Sequence, residues 1–311
     1  MASTLVLVTK LISMMLEAAV GFLIVRVGIC RVSDTKMLSR LVIDVFTPCL
    51  IIDAFQIDLT SERLEGFIAA LILSFAYFPI AILFTRILQK PLKLDEIDRA
   101  TIIYPNVGNL ILPLVSMVLG ENMVFYASGM QIPFNLFVWT HGVSIIEGEK
   151  KINLKKAFLN TNVISIGIGV IIMLTGFKLP DVISTPVSSL GDIVGPLSMM
   201  VIGMQIADSD IKDIFTNRRA YPVIFLRLIA LPCVMLLIMY LTGIPQAHPS
   251  LVPVLQVTFM AIAAPPAATV SQLAILRDNK PLKASICNML GVIFCIVTIP
   301  LINALYGYVF A

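Results

Sequence analysis

The segment TIIYPNVGNLILPLV, residues 101–115, lies in an apolar run about long enough to cross a bilayer, yet its middle is unsuited to a helix. That middle holds Pro105, Asn106, Gly108, Asn109 and Pro113. Proline removes a backbone donor, and glycine and asparagine favour bends over helix. A backbone group without a partner is costly in hydrocarbon, so such a break is expected only where it is buried in protein or lines a cavity.

The composition predicts an all-α polytopic membrane protein. Of the 311 residues, 58% are hydrophobic and 13% are charged, whereas soluble domains carry about 25% charged residues. The five cysteines lack the spacing of a zinc site or a disulfide framework, so we expect no metal and no cofactor. Ten apolar runs of near-spanning length predict ten transmembrane helices. They lie at about 5–27, 37–56, 66–88, 99–119, 122–146, 158–177, 186–207, 220–242, 250–276 and 284–309.

The basic residues predict the orientation of these ten spans. Alternate connections on one side collect 19 of the 22 Lys and Arg residues, Arg227 among them. The other side keeps only Lys10, Arg63 and Lys178. The positive-inside rule therefore predicts a multi-pass protein of the cell membrane with both termini extracellular. The net charge of +3 gives no indication of nucleic-acid binding.

The two halves of the chain resemble each other in register. Asp44–Pro48 reads DVFTP and Asp192–Pro196 reads DIVGP, an offset of 148 residues. Three further pairs share an offset of 153 residues: Pro79 and Pro232, Pro113 and Pro266, Asn135 and Asn288. Because five spans are an odd number, the second repeat must enter the membrane inverted. We predict five-helix repeats at 1–147 and 157–311, in which span 9, interrupted at Pro265–Pro266, crosses the broken span 4. Inverted repeats with broken helices are typical of secondary transporters.

Several motifs resemble the auxin efflux carrier family. They are YPNVGNLILPLVSMVLG (104–120), IPFNLFVWTHGV (132–143), VIGMQIA (201–207) and AAPPAA (263–268). The resemblance implies a scaffold of spans 1, 2, 6 and 7 and a transport domain of spans 3–5 and 8–10 that moves as an elevator. It also implies organic anions as substrates, such as auxin in plants and malate or malonate in bacteria. The short link at 147–162 resembles the compact bacterial form, and Asn109 departs from a position that is more often apolar.

The candidate substrate-binding residues surround the two breaks: Asn106, Asn109, Asn135, Pro265 and Pro266. Asn106 suits either contact with a substrate carboxylate or capping of a freed carbonyl, and the two roles can coexist. Pro105, Gly108 and Pro113 are candidate helix breakers, although Pro113 fits a tolerated kink equally well. The half-helices that begin after each break present free N–H groups, which attract anions without a buried Lys or Arg.

Asp44 and Asp192 are carboxylates inside predicted spans and so are candidates for function. One interpretation is a site that couples transport to a proton or another cation. The other is structural support of backbone that Pro48 and Pro196 leave unpaired, and it is the interpretation that the position near a membrane interface favours.

These features predict a secondary transporter of small organic anions that works by alternating access. An organic-anion channel and a membrane sensor that does not transport are the alternatives. No catalytic residue is expected, because Ser189–Asp192 lacks the Gly-x-Gly-Asp of intramembrane aspartyl proteases and no His-Glu-x-x-His motif occurs. The expected partners are a small organic anion and the lipid bilayer. Proton or sodium coupling and a homodimer are left open.

Overall fold

The computed structural model describes residues 2–56, 61–107, 111, 115, 119, 121–148, 159–208 and 211–310. These residues are mainly helical and contain no β-strand longer than a single bridge. In the first half the main helices are α1 (Ala2–Arg26), α2 (35–54), α3 (Ser61–Gln89), α4 (Glu96–Ile103), α5 (Glu121–Ser128) and α6 (131–146). In the second half they are α7 (Thr161–Thr175), α8 (Asp181–Ile206), α9 (Ala220–Thr242), α10 (Val252–Ile262), α11 (Ala268–Leu276) and α12 (Pro281–Phe310).

Short helical segments connect these elements. They are Val32–Asp34, Ile211–Thr216, Ile244–Ala247 and Pro249–Leu251.

Four of the described helices are long and apolar enough to cross a membrane. They are α8, α9, α12 and the part of α3 from Leu64 to Gln89. Two shorter helical stretches are also apolar: Thr161–Thr175, which is α7, and Pro249–Ile262, which is α10 with the short helical turn before it. The chain is therefore an all-helical membrane protein.

The helices form two packing groups. The flanking group comprises α1, α2, α7 and α8, in which α1 packs along the second half of α8 and α2 packs against α7 and α8. Glycines permit the close approach of α1 and α8: a Cβ at Gly203 would overlap the Ala18 carbonyl oxygen, and one at Gly21 would overlap that of Met200. The crossing group comprises α3–α6 and α9–α12. It contacts the flanking group through α11 and α12, and α6 packs against α7.

Prolines in α2 and α9 are preceded by wide π-helical turns, Val42–Phe46 and Leu226–Ala230. Because a proline has no N–H, the carbonyl four residues before it loses its helical partner, and the backbone widens there. In α2 the hydroxyl of Thr47 donates to the Val42 carbonyl at 2.7 Å, and the amide of Asn162 in α7 donates to the Ile43 carbonyl at 3.1 Å. Side chains thus support the backbone that the proline distorts.

Ion pairs join the N-termini of α4 and α12. Asp95 caps α4, since its carboxylate accepts from the Asp98 N–H at 2.9 Å. Lys283, in the first turn of α12, lies 2.8 Å from the Asp95 carboxylate and 2.6 Å from that of Asp98. Partial burial disfavours the charged form of Asp95, but hydrogen bonds from Lys283 and Lys280 outweigh it and lower the pKa of Asp95 to about 2.

The structure corrects the assignment of Arg227 to a cytoplasmic connection. Arg227 lies on the π-helical turn of α9, eight residues into the helix, and none of its surface is exposed. Its guanidinium bonds backbone carbonyls in the interior rather than facing water. The interior of the protein therefore contains a cation, although Arg227 is not among the described residues that line the cavity beside the crossing.

Candidate functional site

The two interrupted helices meet through their backbones. Tyr104 ends α4 in an extended conformation, and residues 263–267 separate α10 from α11. The Asn106 N–H donates to the Pro265 carbonyl at 2.8 Å, and the Ala267 N–H donates to the Tyr104 carbonyl at 2.9 Å. Pro105 and Pro266 face each other in this antiparallel bridge. Each break therefore supplies hydrogen bonds that the other lost, so unwound backbone is stable here.

Side chains from neighbouring helices donate hydrogen bonds to other backbone carbonyls at the crossing. The Tyr77 hydroxyl of α3 donates to the Ile103 carbonyl at 2.7 Å. The Asn288 amide of α12 donates to the Pro266 carbonyl at 2.9 Å. Gly291, one turn further along α12, has no Cβ, and a Cβ there would overlap the Pro266 ring. The crossing is thus held by α3 and α12 as well as by its own backbone.

A cavity of about 40 Å³ lies beside the crossing, between the two packing groups. This volume holds a few water molecules or a carboxylate-sized group. The flanking group contributes Thr47, Leu50, Ile51 and Val194. The crossing group contributes Asn106, Val107, Gln131, Phe134, Asn135, Trp139, Ala267, Ala268 and Thr269. None of these described lining residues is charged.

Hydrogen-bond donors without partners distinguish this cavity. Asn106 and Gln131 are 4% and 5% exposed, and within the described part of the chain no acceptor bonds Asn106 Nδ2 or Gln131 Nε2. The N-terminus of α11 also lines the cavity, and its N-cap residue, Ala267, has no side-chain oxygen to cap it. Such helix ends carry about half a positive charge. The cavity therefore offers donors that no described acceptor uses, as a site for an anion would.

Asn135 also lines the cavity, but its side chain already forms hydrogen bonds within the protein. Its Nδ2 donates to the Gln131 carbonyl at 2.9 Å, and its Oδ1 accepts from Trp139 Nε1 at 3.2 Å. The asparagine that repeats it, Asn288, supports the Pro266 carbonyl instead. Asn135 thus positions the wall of the cavity and has one remaining amide hydrogen to offer.

The two candidate aspartates lie elsewhere. Asp44 and Asp192 have exposed side chains, and neither is among the described residues that line the cavity. A carboxylate that sequence reasoning passed over, Asp53, lies between α2 and α8, where Ser188 bonds it and Asp192 is near enough to repel it. Gln56 Nε2 also donates to Asp53 at 3.3 Å. These groups cluster at the contact of α2 with α8.

The structure brings Asn106 and Asn135 together in the cavity wall and places Pro105, Pro265 and Pro266 in the crossing. Three other candidates, Gly108, Asn109 and Pro113, lie outside the described residues. The residue that faces Pro266 in the bridge is Pro105.

Sequence reasoning missed Thr47 and Trp139 as wall residues and expected Gln131 only to form a hydrogen bond with a neighbouring helix. It also missed the interior position of Arg227, although a cation two turns inside an apolar run signals a buried role.

A family model described as Membrane transport protein matches the chain twice, over residues 5–153 and 150–303. The two matches together cover nearly the whole chain. No curated protein matches it.

Proposed function

The chain belongs to the auxin efflux carrier family of membrane transport proteins, and from this premise we propose that it is a secondary transporter of small organic anions. The observation that carries the proposal is the cavity at the crossing, where buried donors have no partner among the described residues and none of the described wall residues is charged. A carboxylate supplies acceptors to several such donors at once, and hydrogen bonds to a charged acceptor are about twice as strong as neutral ones.

Asn106, Gln131 and the N-terminus of α11 are the groups that we propose bind the carboxylate. Asn135 holds the wall beside them, and Pro105, Pro265 and Pro266 keep the backbone open at the crossing. We include Asn109 on the basis of its place in the motif, and Gly108 and Pro113 as breakers of the same span.

The position of the cavity supports transport by alternating access. Its wall combines residues of the flanking group with residues of the crossing group, so a shift of one group against the other would open the cavity to either side. We propose that the flanking group is the scaffold and the crossing group the transport domain. In this proposal ten helices form two inverted repeats, 1–147 and 157–311, with both termini outside the cell membrane. Asp44 and Asp192 then support the scaffold.

Uptake into proteoliposomes tests the proposal. Malonate, malate and indole-3-acetate should be compared, with malonate first because the cavity is small. A substrate should raise the melting temperature of the purified protein, since a ligand that binds the folded state stabilises it by mass action. Uptake should saturate and should accelerate when unlabelled anion is present inside. Uptake that neither saturates nor exchanges would indicate a channel, and failure of every anion to bind or move would reject the proposed substrate class.

A further inference from the structure

Arg227 is a buried cation that the proposed anion site does not use directly. It lies on the π-helical turn of α9 and is one of the largest fully buried side chains in the described chain. Charged residues inside membrane segments are costly and require specific partners. The partners of Arg227 therefore indicate why the chain keeps it.

All five N–H donors of the guanidinium are used. Nε donates to the Ala264 carbonyl at 3.0 Å, and Nη2 donates to the same carbonyl at 2.8 Å. Nη2 also donates to the Ile262 carbonyl at 2.6 Å. Nη1 donates to the Ile102 carbonyl at 3.0 Å and to the Tyr77 hydroxyl at 2.5 Å. Each of these acceptors is a neutral group, so no carboxylate in this set balances the charge.

The negative ends of two helices balance it instead. Ile102 lies in the last turn of α4, Ile262 is the last residue of α10, and Ala264 lies two residues beyond it. A helix C-terminus carries about half a negative charge, so two of them together offset about one positive charge. Converging carbonyls at the C-terminal ends of broken helices are the ligands with which transporters bind a coupling cation such as sodium. In this chain a side chain occupies such a set of ligands.

We propose that Arg227 is a built-in cation of the helix crossing, which fills the place where an exchangeable alkali cation would bind. This inference rests on the proposed function. It implies that anion binding needs no sodium at the crossing, and that removal of the side chain leaves a vacant cation site between α4 and α10. Lysine would keep the charge, but its three donors cannot reproduce the planar five-donor arrangement.

The first test needs no substrate. The full-length parent, Arg227→Ala and the control Arg219→Ala, which removes an exposed arginine just before α9, are melted in choline chloride and then with sodium or guanidinium ion. Guanidinium at about 20 mM is far below the molar concentrations that denature proteins. We expect Arg227→Ala to melt lower than the parent in choline and to recover with guanidinium. The parent and Arg219→Ala should show no such response.

The second test measures malonate affinity by thermal shift in the same salts. The parent should bind malonate equally, within about twofold, in choline and in sodium. Arg227→Ala should bind at least about tenfold more weakly in choline, because an uncompensated pair of helix C-termini opposes the anion, and guanidinium should restore binding. Arg227→Lys should bind with intermediate affinity and without dependence on added cations.

Three results would overturn the proposal. One is a melting temperature of the parent that rises saturably with sodium relative to choline. This result can be measured even if Arg227→Ala does not fold. Another is an Arg227→Ala protein that guanidinium does not rescue. The third is sodium-dependent malonate binding by the parent. If malonate does not bind the parent at all, the proposed function fails, whereas the melting experiments still decide the role of Arg227.

Discussion

Substitution of Asn106 by alanine separates a substrate contact from a structural cap. The backbone N–H of Asn106 makes the bond to the Pro265 carbonyl, and alanine keeps that bond. Only the side-chain amide is lost, and its Nδ2 has no partner in the described chain. The substitution therefore removes a donor to the bound anion and breaks no bond of the Nδ2 group in the described structure.

The expected changes in malonate affinity and in stability follow from the loss of this side-chain donor. A hydrogen bond to a charged acceptor contributes about 1.5–3 kcal/mol, so the dissociation constant for malonate should rise about ten- to a hundredfold. A buried donor without a partner destabilises the folded state, so the free energy of unfolding of the ligand-free protein should stay within about 1 kcal/mol of the parent or rise. Asn106→Asp should bind still more weakly, because a carboxylate would face the anion.

Thermal melts with and without malonate give both quantities in one assay. The matched control is Asn303→Ala, which removes an amide of α12 that accepts a bond from Gln256 Nε2 at 3.0 Å, outside the cavity. This control should melt lower than the parent and bind malonate normally. The reasoning is refuted if Asn106→Ala binds malonate as tightly as the parent. If it also melts lower, Asn106 is a cap of the crossing.

Three further predictions concern the ion pairs, the crossing and the topology. The pKa of Asp95, about 2, lies below the ordinary 3.8, so its contribution of about 2 kcal/mol is fully present above about pH 5 and is lost as the pH falls through about 2. Melts should show Asp95→Asn destabilised at pH 7, with the difference from the parent shrinking through this acidic range. Gly291→Ala should lose about 1–3 kcal/mol of stability because its Cβ would overlap Pro266, whereas Gly307→Ala, which meets no neighbour within 4 Å, should not be destabilised. In a background without other cysteines, Arg218→Cys should resist impermeant thiol reagents in intact cells, and labelling from outside would invert the proposed topology.

The membrane class and the positions of both helix breaks were predictable from the sequence, because composition and proline placement act locally. The adjacent prolines Pro265 and Pro266 lack two consecutive backbone N–H donors and so favour a break at that point of the helix. The pairing of the breaks was less accessible. The repeat offset identifies equivalent positions such as Pro113 and Pro266 and predicts no contact, and the backbone bridge joins Pro266 to Pro105. Spatial pairing across a crossing depends on how two helices approach, which no offset within one chain records.

The candidate site was predictable only in part, for a related reason. Asn106 stood out because an amide beside a broken backbone is unusual in a membrane span. Gln131 did not, because an uncharged polar residue in a span usually bonds a neighbouring helix, and only the structure leaves its Nε2 without a described partner. Arg227 was misassigned because charge counting treats an arginine near a span end as a loop residue, whereas its partners come from α3, α4 and the α10 end.

The charges at the crossing connect the two proposals. The C-termini of α4 and α10 contribute about one negative charge together, Arg227 contributes one positive charge, and the N-terminus of α11 contributes about half a positive charge. The sum is about half a positive charge beside a cavity whose described wall residues include no charged side chain. Without Arg227 the sum becomes about half a negative charge, so the field at the cavity changes sign. Arg227 thus determines the sign of the field at the cavity although it makes no contact with the proposed anion. Loss of its side chain should therefore weaken anion binding, and a diffusible guanidinium ion should restore it.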